Sequence, residues 1–202
     1  LFSGTIILKN VPFVEDVITM TSLLKSLGSL IEISEKKKLI KITNRQKHKL
    51  IVPYKLVSKM RAGVLTMGAL LGKYNSCQVS KPGGCSLGPR DYGWHLKGFS
   101  RLGASNNLKA GYIHLSAKKG LKGNTFKFPK ITVTGTSNLI MASVLAKGST
   151  ILKNIAIEPE ILDLIEFLNK GGAKIKFVGK RTIKIFGVKK LIGCSHKIIG
   201  DR

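Results

Sequence analysis

Gly4-Thr5-Ile6-Ile7-Leu8-Lys9-Asn10 recurs with small changes as Gly148-Ser149-Thr150-Ile151-Leu152-Lys153-Asn154, and this repeated stretch decides the fold. Both segments are rich in β-branched and aliphatic residues, which favour strands. A helical pattern follows each strand and ends at a glycine after the same interval, because 28 − 10 = 18 and 172 − 154 = 18. Gly28 and Gly172 stand where helix C-caps are expected. The repetition predicts copies of one structural unit.

The helices and the later strands of the two copies also agree. Apolar residues recur at helical spacing at Val17, Met20, Leu24 and Leu27, and again at Ile161, Leu164, Ile165 and Leu168. Two strand-like runs follow each glycine, at 30–33 and 39–42 and at 173–177 and 182–185. Each copy is therefore predicted as strand, helix, strand, strand.

A middle copy becomes visible when an insertion is allowed. Its strand is predicted at 77–81, its helix at 96–102 and its last strand at 112–115. From Lys81 to Gly103 the interval is 103 − 81 = 22 residues, which is four more than in the other copies. A repeat that is longer at one loop indicates function there, with a neutral surface insertion as the alternative.

A further helix is predicted before the strand of the later copies. Val57, Met60, Val64, Met67 and Leu71 lie on one face of the first such helix, and 136–145 forms the second. Before the first copy only Leu1-Phe2 remains, and we align Ile198–Arg202 with 131–135, where another helix begins. We therefore expect both ends of the chain to be cut.

Each complete unit is thus predicted as βαβαββ. We expect one domain over 1–202 in which three units, about 1–48, 49–120 and 121–202, pack around a shared axis with helices inside and sheets outside. The first unit is truncated. A doubly wound parallel sheet is the alternative, but the hairpins late in each unit argue against it.

Charge is the strongest compositional signal, at +25 from 35 Lys and Arg against 10 Asp and Glu. Such an excess suggests a polyanion partner. The lysines are spread over the whole chain, however, and aromatic residues are not interleaved with them as stacking platforms. We therefore expect no nucleic acid as the main partner. No apolar run is long enough to span a bilayer, so no membrane partner is expected either.

Cysteine and histidine usage points away from metal and disulfide chemistry. Cys77, Cys85 and Cys194 are an odd number without a CxxC pair, and the four histidines show no ligand spacing. Free thiols suit a reducing cytoplasm. We expect no metal and no cofactor.

The inserted loop reads Pro82-Gly83-Gly84-Cys85-Ser86-Leu87-Gly88-Pro89-Arg90. A thiol in a glycine loop, five residues before an arginine, is placed to have its thiolate stabilised by a cation and to act as nucleophile or proton donor. Arg61 lies early in a predicted helix, and Lys130 precedes Ile131-Thr132-Val133-Thr134-Gly135-Thr136 at a helix N-terminus, where phosphates bind well. For Arg61 a solvated helix face, and for Thr136 an ordinary N-cap, are the alternatives.

The loop resembles the catalytic loop of the UDP-N-acetylglucosamine 1-carboxyvinyltransferases. Met60-Arg61-Ala62, the stretch 132–138 and Glu158-Pro159-Glu160 resemble further segments of that family, in order and over essentially the whole chain. The resemblance implies transfer of enolpyruvyl from phosphoenolpyruvate to the 3′-hydroxyl of UDP-N-acetylglucosamine, the first committed step of peptidoglycan precursor synthesis. It also implies an α/β fold of the inverse α/β prism type, with two prisms in the whole enzyme and the substrates between them.

The resemblance further implies roles for individual residues. Cys85 matches the residue that protonates phosphoenolpyruvate or forms an adduct with it, and that fosfomycin alkylates. Arg61 and Arg90 match residues that bind the anionic substrates. Parts of the UDP-sugar site are matched by Asp91, Tyr92, Gly93 and Trp94 and by Lys130, Ile131, Thr132 and Val133.

Three departures bear on activity. Gly93 stands where the family has an aspartate that contacts the nucleotide, Trp94 adds bulk, and Asp91 adds a negative charge beside Arg90. We expect weaker nucleotide binding, and no turnover from these 202 residues alone because the second prism is absent. A degenerate, non-catalytic relative and a basic polyanion-binding module remain as alternative hypotheses.

Overall fold

The structure is a computed structural model that describes residues 1–44, 48–57, 60–80 and 92–200. The strands are β1 (Phe2–Lys9), β2 (Leu30–Ser34), β3 (Leu39–Asn44), β4 (Ile51–Val52), β5 (Ser76–Ser80), β6 (Ser105–Lys109), β7 (Tyr112–Ser116), β8 (Thr125–Lys127), β9 (Ser149–Lys153), β10 (Lys174–Gly179), β11 (Thr182–Phe186), β12 (Leu191–Ile192) and β13 (Ser195–Lys197). The helices are α1 (Glu15–Leu27), α2 (Tyr54–Val57), α3 (Thr66–Tyr74), α4 (Gly93–Arg101), α5 (Val133–Ser143) and α6 (Pro159–Lys170), with a 3₁₀ turn at Arg61–Leu65.

The strands form three sheets that share one pattern. The order is β4-β5-β7-β6 in the middle sheet and β8-β9-β11-β10 in the C-terminal sheet. In both, the first two strands are parallel and the remaining neighbours are antiparallel. The N-terminal sheet has the order β12-β1-β3-β2, with β13 also beside β1, and here β12 and β13 supply the parallel neighbours of β1. The predicted βαβαββ pattern with helices inside is confirmed for the last two units.

Residues 191–197 therefore pair with the beginning of the chain. They lie within the range 121–202 that was assigned to the third unit, yet they complete the sheet of the first one. The ranges 1–48, 49–120 and 121–202 stay a prediction.

The predicted glycine caps are confirmed in all three copies. Gly28, Gly103 and Gly172 have φ of 111°, 92° and 97°, the left-handed region in which a side chain would be strained. Each donates its N–H to a carbonyl three residues earlier, and the following residue donates to one five residues earlier. This pair of hydrogen bonds is the Schellman arrangement that ends a helix.

The strand ends Asn10 and Asn154 are also equivalent, and they correct one alignment. Both have positive φ, and their side-chain amides donate to the carbonyls of Ile198 and Phe128. Ile198 therefore occupies the position of Phe128, and its alignment with Ile131 was wrong by three residues. The error arose because a strand end was matched to a helix start by composition alone.

Three helix predictions are corrected in their bounds, and the helix predicted at 136–145 is α5, Val133–Ser143. All five residues of the first predicted helix are buried, but they do not lie in one helix. Val57 is in α2, Met60 is the N-cap of the 3₁₀ turn, Val64 is in that turn, and Met67 and Leu71 are in α3. The apolar spacing persists because every piece faces the same core. The middle-copy helix begins at Gly93, three residues before its predicted start.

The core lies between α3 and α5, which cross closely. A Cβ on Gly68 would collide with the backbone of Asn138, and one on Gly72 would approach Met141. A Cβ on Gly98 in α4 would instead collide with the side chain of Leu139. Because glycine has no side chain, the helices can approach each other closely at these positions. Helix α5 is buried along most of its length. No helix in the described part of the chain has the length and apolarity that crossing a bilayer requires.

Candidate functional site

Part of the predicted site lies outside the described residues. Cys85, Arg90 and Asp91 belong to the stretch 81–91, for which the structure gives no description. Arg61 is described in its backbone, where it begins the 3₁₀ turn. The site is therefore built from the elements on either side of the loop.

The start of α4 carries three of the predicted residues. Tyr92 is the N-cap, and its carbonyl accepts hydrogen bonds from the N–H groups of His95 and Leu96. Its side chain is half-buried and packs against the core. Trp94 is half-buried with the Lys97 ammonium 4.4 Å from its ring centroid, a distance at which a cation is attracted to the aromatic face.

The start of α5 carries the other four. Lys130 and Ile131 are exposed, whereas Thr132 and Val133 are half-buried. The N-cap is Thr132, whose hydroxyl accepts from the N–H of Gly135 at 3.2 Å. The N–H groups of the first turn point out of the helix and carry its partial positive charge, so this end favours an anion. Thr136 is not the cap: it is fully buried, and its hydroxyl accepts from the N–H of Ala156.

A buried amide joins these helix starts. The side-chain oxygen of Asn138 in α5 accepts from the N–H of Gly68 in α3 at 2.7 Å. Its NH₂ group donates to the carbonyl of Val64 in the 3₁₀ turn at 3.0 Å and to Nδ1 of His95 in α4 at 2.8 Å. His95 Nε2 also lies 3.5 Å from the hydroxyl of Thr134. One side chain thus ties the 3₁₀ turn, α3, α4 and α5 together.

This network assigns the protonation of His95. The orientation of the Asn138 amide follows from a backbone donor on one side and a backbone acceptor on the other. Its NH₂ group can only donate, so Nδ1 of His95 must accept and the imidazole is neutral with its proton on Nε2. That N–H faces the first turn of α5, where Thr132 and Val133 lie.

The network brings the predicted segments to one end of the molecule. The 3₁₀ turn that begins at Arg61, the α4 start at Tyr92 to Trp94 and the α5 start at Thr132 and Val133 meet through His95 and Asn138. Sequence reasoning gave neither residue a role, although an asparagine inside the apolar stretch of α5 is a signal for a buried polar network.

An open groove of about 600 Å³ begins beside this end and follows α4. Its lining includes Gly93, Leu96, Lys97, Arg101 and Phe126. The volume lies in the range of small-molecule sites, and the two cations suit an anionic ligand. Gly93 thus borders this groove.

The two described cysteines are poor nucleophiles. Burial raises the pKa of the Cys77 thiol to about 12, and it raises the pKa of Cys194 less strongly. Both thiols are therefore protonated at neutral pH and less reactive than a thiolate. Among the described residues no cluster of three or more histidine, cysteine or acidic side chains could hold a metal ion.

Comparison with known proteins gives one consistent family. The whole chain, residues 1–202, matches the family of EPSP synthase (3-phosphoshikimate 1-carboxyvinyltransferase). A relative from Pelagibacter ubique named UDP-N-acetylglucosamine 1-carboxyvinyltransferase is 48% identical over 195 residues, 96% of this chain and 46% of the relative. A protein of the same name from Coxiella burnetii is 45% identical over 202 residues, all of this chain and 46% of the relative. The chain spans about half the length of these curated relatives.

Solved structures share the fold at low sequence identity. The enolpyruvyl transferase NikO from Streptomyces tendae superposes with a TM-score of 0.86 at 17% identity, over 99% of this chain and 47% of that one. EPSP synthase from Acinetobacter baumannii superposes with a TM-score of 0.73 at 18% identity, over 98% and 45%. At these identities the likeness concerns the fold.

Proposed function

The chain belongs to the EPSP synthase family, and from that premise we propose that it forms the cysteine-loop half of a UDP-N-acetylglucosamine 1-carboxyvinyltransferase. The proposed reaction transfers enolpyruvyl from phosphoenolpyruvate to the 3′-hydroxyl of UDP-N-acetylglucosamine and releases phosphate. UDP-N-acetylglucosamine is proposed as the substrate because relatives at 43–48% identity carry it in their names. Because this chain corresponds to about half of each relative, the activity is proposed for a protein of the relatives' full length.

The observation that carries the proposal is the meeting of the helix starts. Arg61, Tyr92 to Trp94 and Thr132 to Val133 are far apart in sequence, and the Asn138 network holds their elements at one end of the prism. The loop with Cys85 and Arg90 connects β5 to α4, so both of its anchors belong to the prism and one of them, the start of α4, is part of this end. Helix N-termini and basic side chains suit the phosphates of both substrates.

In the proposed mechanism each segment has a separate task. Cys85 gives a proton to the methylene carbon of phosphoenolpyruvate, and the sugar hydroxyl attacks the neighbouring carbon. The C–O bond to phosphate then breaks, the hydroxyl proton leaves with the phosphate, and the new methyl group returns one proton to the Cys85 thiolate, which regenerates the double bond and the thiol. Arg61 and Arg90 hold the anionic groups of the substrates. The N-terminal turn of α5, with Lys130 and Ile131 before it, binds the UDP-sugar. The site uses small-molecule substrates, and we place the reaction in the cytoplasm, where both are made.

Gly93 and Trp94 in α4, together with Asp91 in the preceding sequence, should weaken nucleotide binding. Gly93 offers no carboxylate at the groove, Trp94 holds a cation over its ring, and Asp91 brings negative charge next to Arg90. A carboxylate that accepts hydrogen bonds from a ligand contributes about 1.5–3 kcal/mol, so its absence predicts a ~10- to 100-fold higher KM for the nucleotide. This observation also keeps a degenerate, non-catalytic relative as the second candidate.

Fosfomycin labelling of the full-length protein tests the proposal. We expect a covalent adduct on the Cys85 peptide by mass spectrometry, formed faster when UDP-N-acetylglucosamine is present. Cys77 supplies an internal control, because its buried thiol, with a pKa of about 12, should stay unlabelled until the protein is unfolded. Phosphate release from phosphoenolpyruvate that depends on the nucleotide would then measure turnover.

The outcomes separate the candidates. Labelling that the nucleotide accelerates, together with phosphate release, supports the transferase. A folded protein in which Cys85 labels at the same rate with and without nucleotide, and which releases no phosphate, supports the degenerate relative.

A further inference from the structure

The outer face of the C-terminal sheet, formed by β8 to β11, carries several lysines close together. The inward side chains of the C-terminal sheet, among them Leu152, Ile183 and Ile185, are fully buried in the core. Because side chains alternate along a strand, the neighbouring positions face outward. These outward positions include five lysines: Lys127, Lys153, Lys174, Lys176 and Lys184.

Four of the five lysines lie opposite another lysine, and the fifth, Lys174, lies opposite Phe186. Lys176 lies directly opposite Lys184, and Lys127 directly opposite Lys153. The four strands β8 to β11 contain no aspartate or glutamate. Like charges directly opposite one another destabilise a sheet. An anionic partner on this face would remove that repulsion.

The high lysine content of the whole chain does not by itself explain the lysines on this face, because the outward rows of the other two sheets differ. In the middle sheet the corresponding outward row is Gln78, His114 and Asn107. In the N-terminal sheet Lys41 lies opposite Glu32 and forms an ion pair with it at 3.0 Å. The N-terminal sheet also has one lysine pair, Lys9 opposite Lys197. Among the described strands, two lysine pairs in a sheet without an acidic residue occur in the C-terminal sheet.

Apolar side chains lie among the lysines. Phe186 is 39% exposed on the outer face, and the Lys184 ammonium lies 4.9 Å from its ring centroid. Ile151 faces outward between Lys184 and Thr125, and Val178 at the edge of the sheet is 58% exposed. Lysines with aromatic and aliphatic neighbours are typical of surfaces that bind the boundary of an anionic bilayer.

The shape favours a bilayer over nucleic acid. Four strands about 4.8 Å apart make a face ~14 Å wide, whereas the major groove of DNA, ~12 Å wide, admits a helix or a two-stranded ribbon. Single strands bind to successive aromatic platforms, and Phe186 is the aromatic residue among the outward positions of β8 to β11. A flat lipid surface makes contact with all five lysines at once.

We propose that the outer face of the C-terminal sheet docks on anionic lipid headgroups. The sequence-based expectation of no membrane partner rested on the lack of a spanning segment, which a peripheral surface does not need. The docking face is a property of the sheet and does not depend on the proposed transferase activity.

Vesicle co-sedimentation of the full chain tests the proposal, with vesicles of phosphatidylglycerol and phosphatidylcholine in equal parts and of phosphatidylcholine alone. We expect binding to the anionic vesicles only, and weaker binding as salt increases. Lys176→Gln combined with Lys184→Gln should lower the affinity about 25-fold, at about fivefold for each lysine near the surface. Phe186→Ser should lower it several-fold through lost apolar contact.

The matched control removes the same charge elsewhere. Lys36→Gln with Lys37→Gln changes two exposed lysines in the turn between β2 and β3 and should alter vesicle binding less than twofold. Equal losses in both double variants would show that only net charge matters and would overturn the proposal. Tight binding to a DNA duplex, with vesicle binding unaffected by Phe186→Ser, would overturn it in favour of nucleic acid. Circular dichroism confirms that each variant is folded.

Discussion

Two buried histidines of this chain are held by different kinds of partner. His95, at the end where the helix starts meet, accepts at Nδ1 from the amide of Asn138. His196, in β13, accepts at Nδ1 from the ammonium of Lys170 and donates from Nε2 to the carboxylate of Asp163 at 2.9 Å. Both imidazoles are therefore neutral with the proton on Nε2, because an amide NH₂ and an ammonium can only donate.

The difference follows the depth of each site. Asn138 is 0% exposed, whereas the side chain of Lys170 is 43% exposed and also pairs with Glu166. A charge in the first position would lose its hydration entirely, but the ammonium of Lys170 keeps contact with water. A neutral amide can therefore join four elements in the core, whereas charged groups connect α6 to β13 near the surface.

We expect the largest loss of stability from Asn138→Asp, which gives the first histidine a charged partner. It places a carboxylate in the fully buried position and replaces the NH₂ group, which donates to Val64 and His95, by one oxygen that repels both acceptors. An unpaired buried charge costs about 3–5 kcal/mol, so we expect the free energy of unfolding in urea to fall by that amount. Asn106→Asp, which changes an exposed amide bonded to Ser100, should cost less than about 1 kcal/mol. Equal costs in the two variants would contradict the assigned network.

Asp163→Asn gives His196 an amide partner, as His95 has in Asn138. The amide oxygen can still accept from His196, but the negative charge that balances Lys170 across the imidazole is lost. A hydrogen bond to a charged group contributes about 1.5–3 kcal/mol, and we expect urea unfolding to show a loss of ~1–2 kcal/mol because part of the bond remains. Asp16→Asn in the exposed first turn of α1 removes the same charge and should cost less. A larger loss in that control would show that the carboxylate at His196 is not important.

The smallest loss of stability is expected from Glu166→Gln, which removes the exposed ion pair between Glu166 and Lys170. The hydrogen bond from Lys170, and then its charge, lower the pKa of Glu166 below its usual value of 4.5. A group with a depressed folded pKa stabilises above its unfolded pKa, and this contribution is lost as pH falls through the folded value. The variant should therefore melt slightly below the wild type at pH 7, with the gap closing below pH 4.5. A gap that is independent of pH would exclude the ion pair as its cause.

Local signals predicted the repeated parts of the fold. The caps at Gly28, Gly103 and Gly172 depend on one residue and its immediate neighbours. The equal intervals of 18 residues located Gly28 and Gly172, and the glycine after the middle helix located the third cap. The alternation of strands with helices was predictable for the same reason. The break into α2, the 3₁₀ turn and α3 was not, because all three pieces face one core and keep the same apolar spacing.

The three-unit architecture, the inserted cysteine loop and the related family were all predictable from the sequence. Three features became visible with the packed fold: residues 191–197 complete the first sheet, Asn138 and His95 meet across 43 residues of sequence, and five lysines share one face. Residue type and spacing specify local conformation, since caps and strands depend on near neighbours. Which distant polar groups meet depends on how helices and sheets pack, and that is determined by the burial of the whole core.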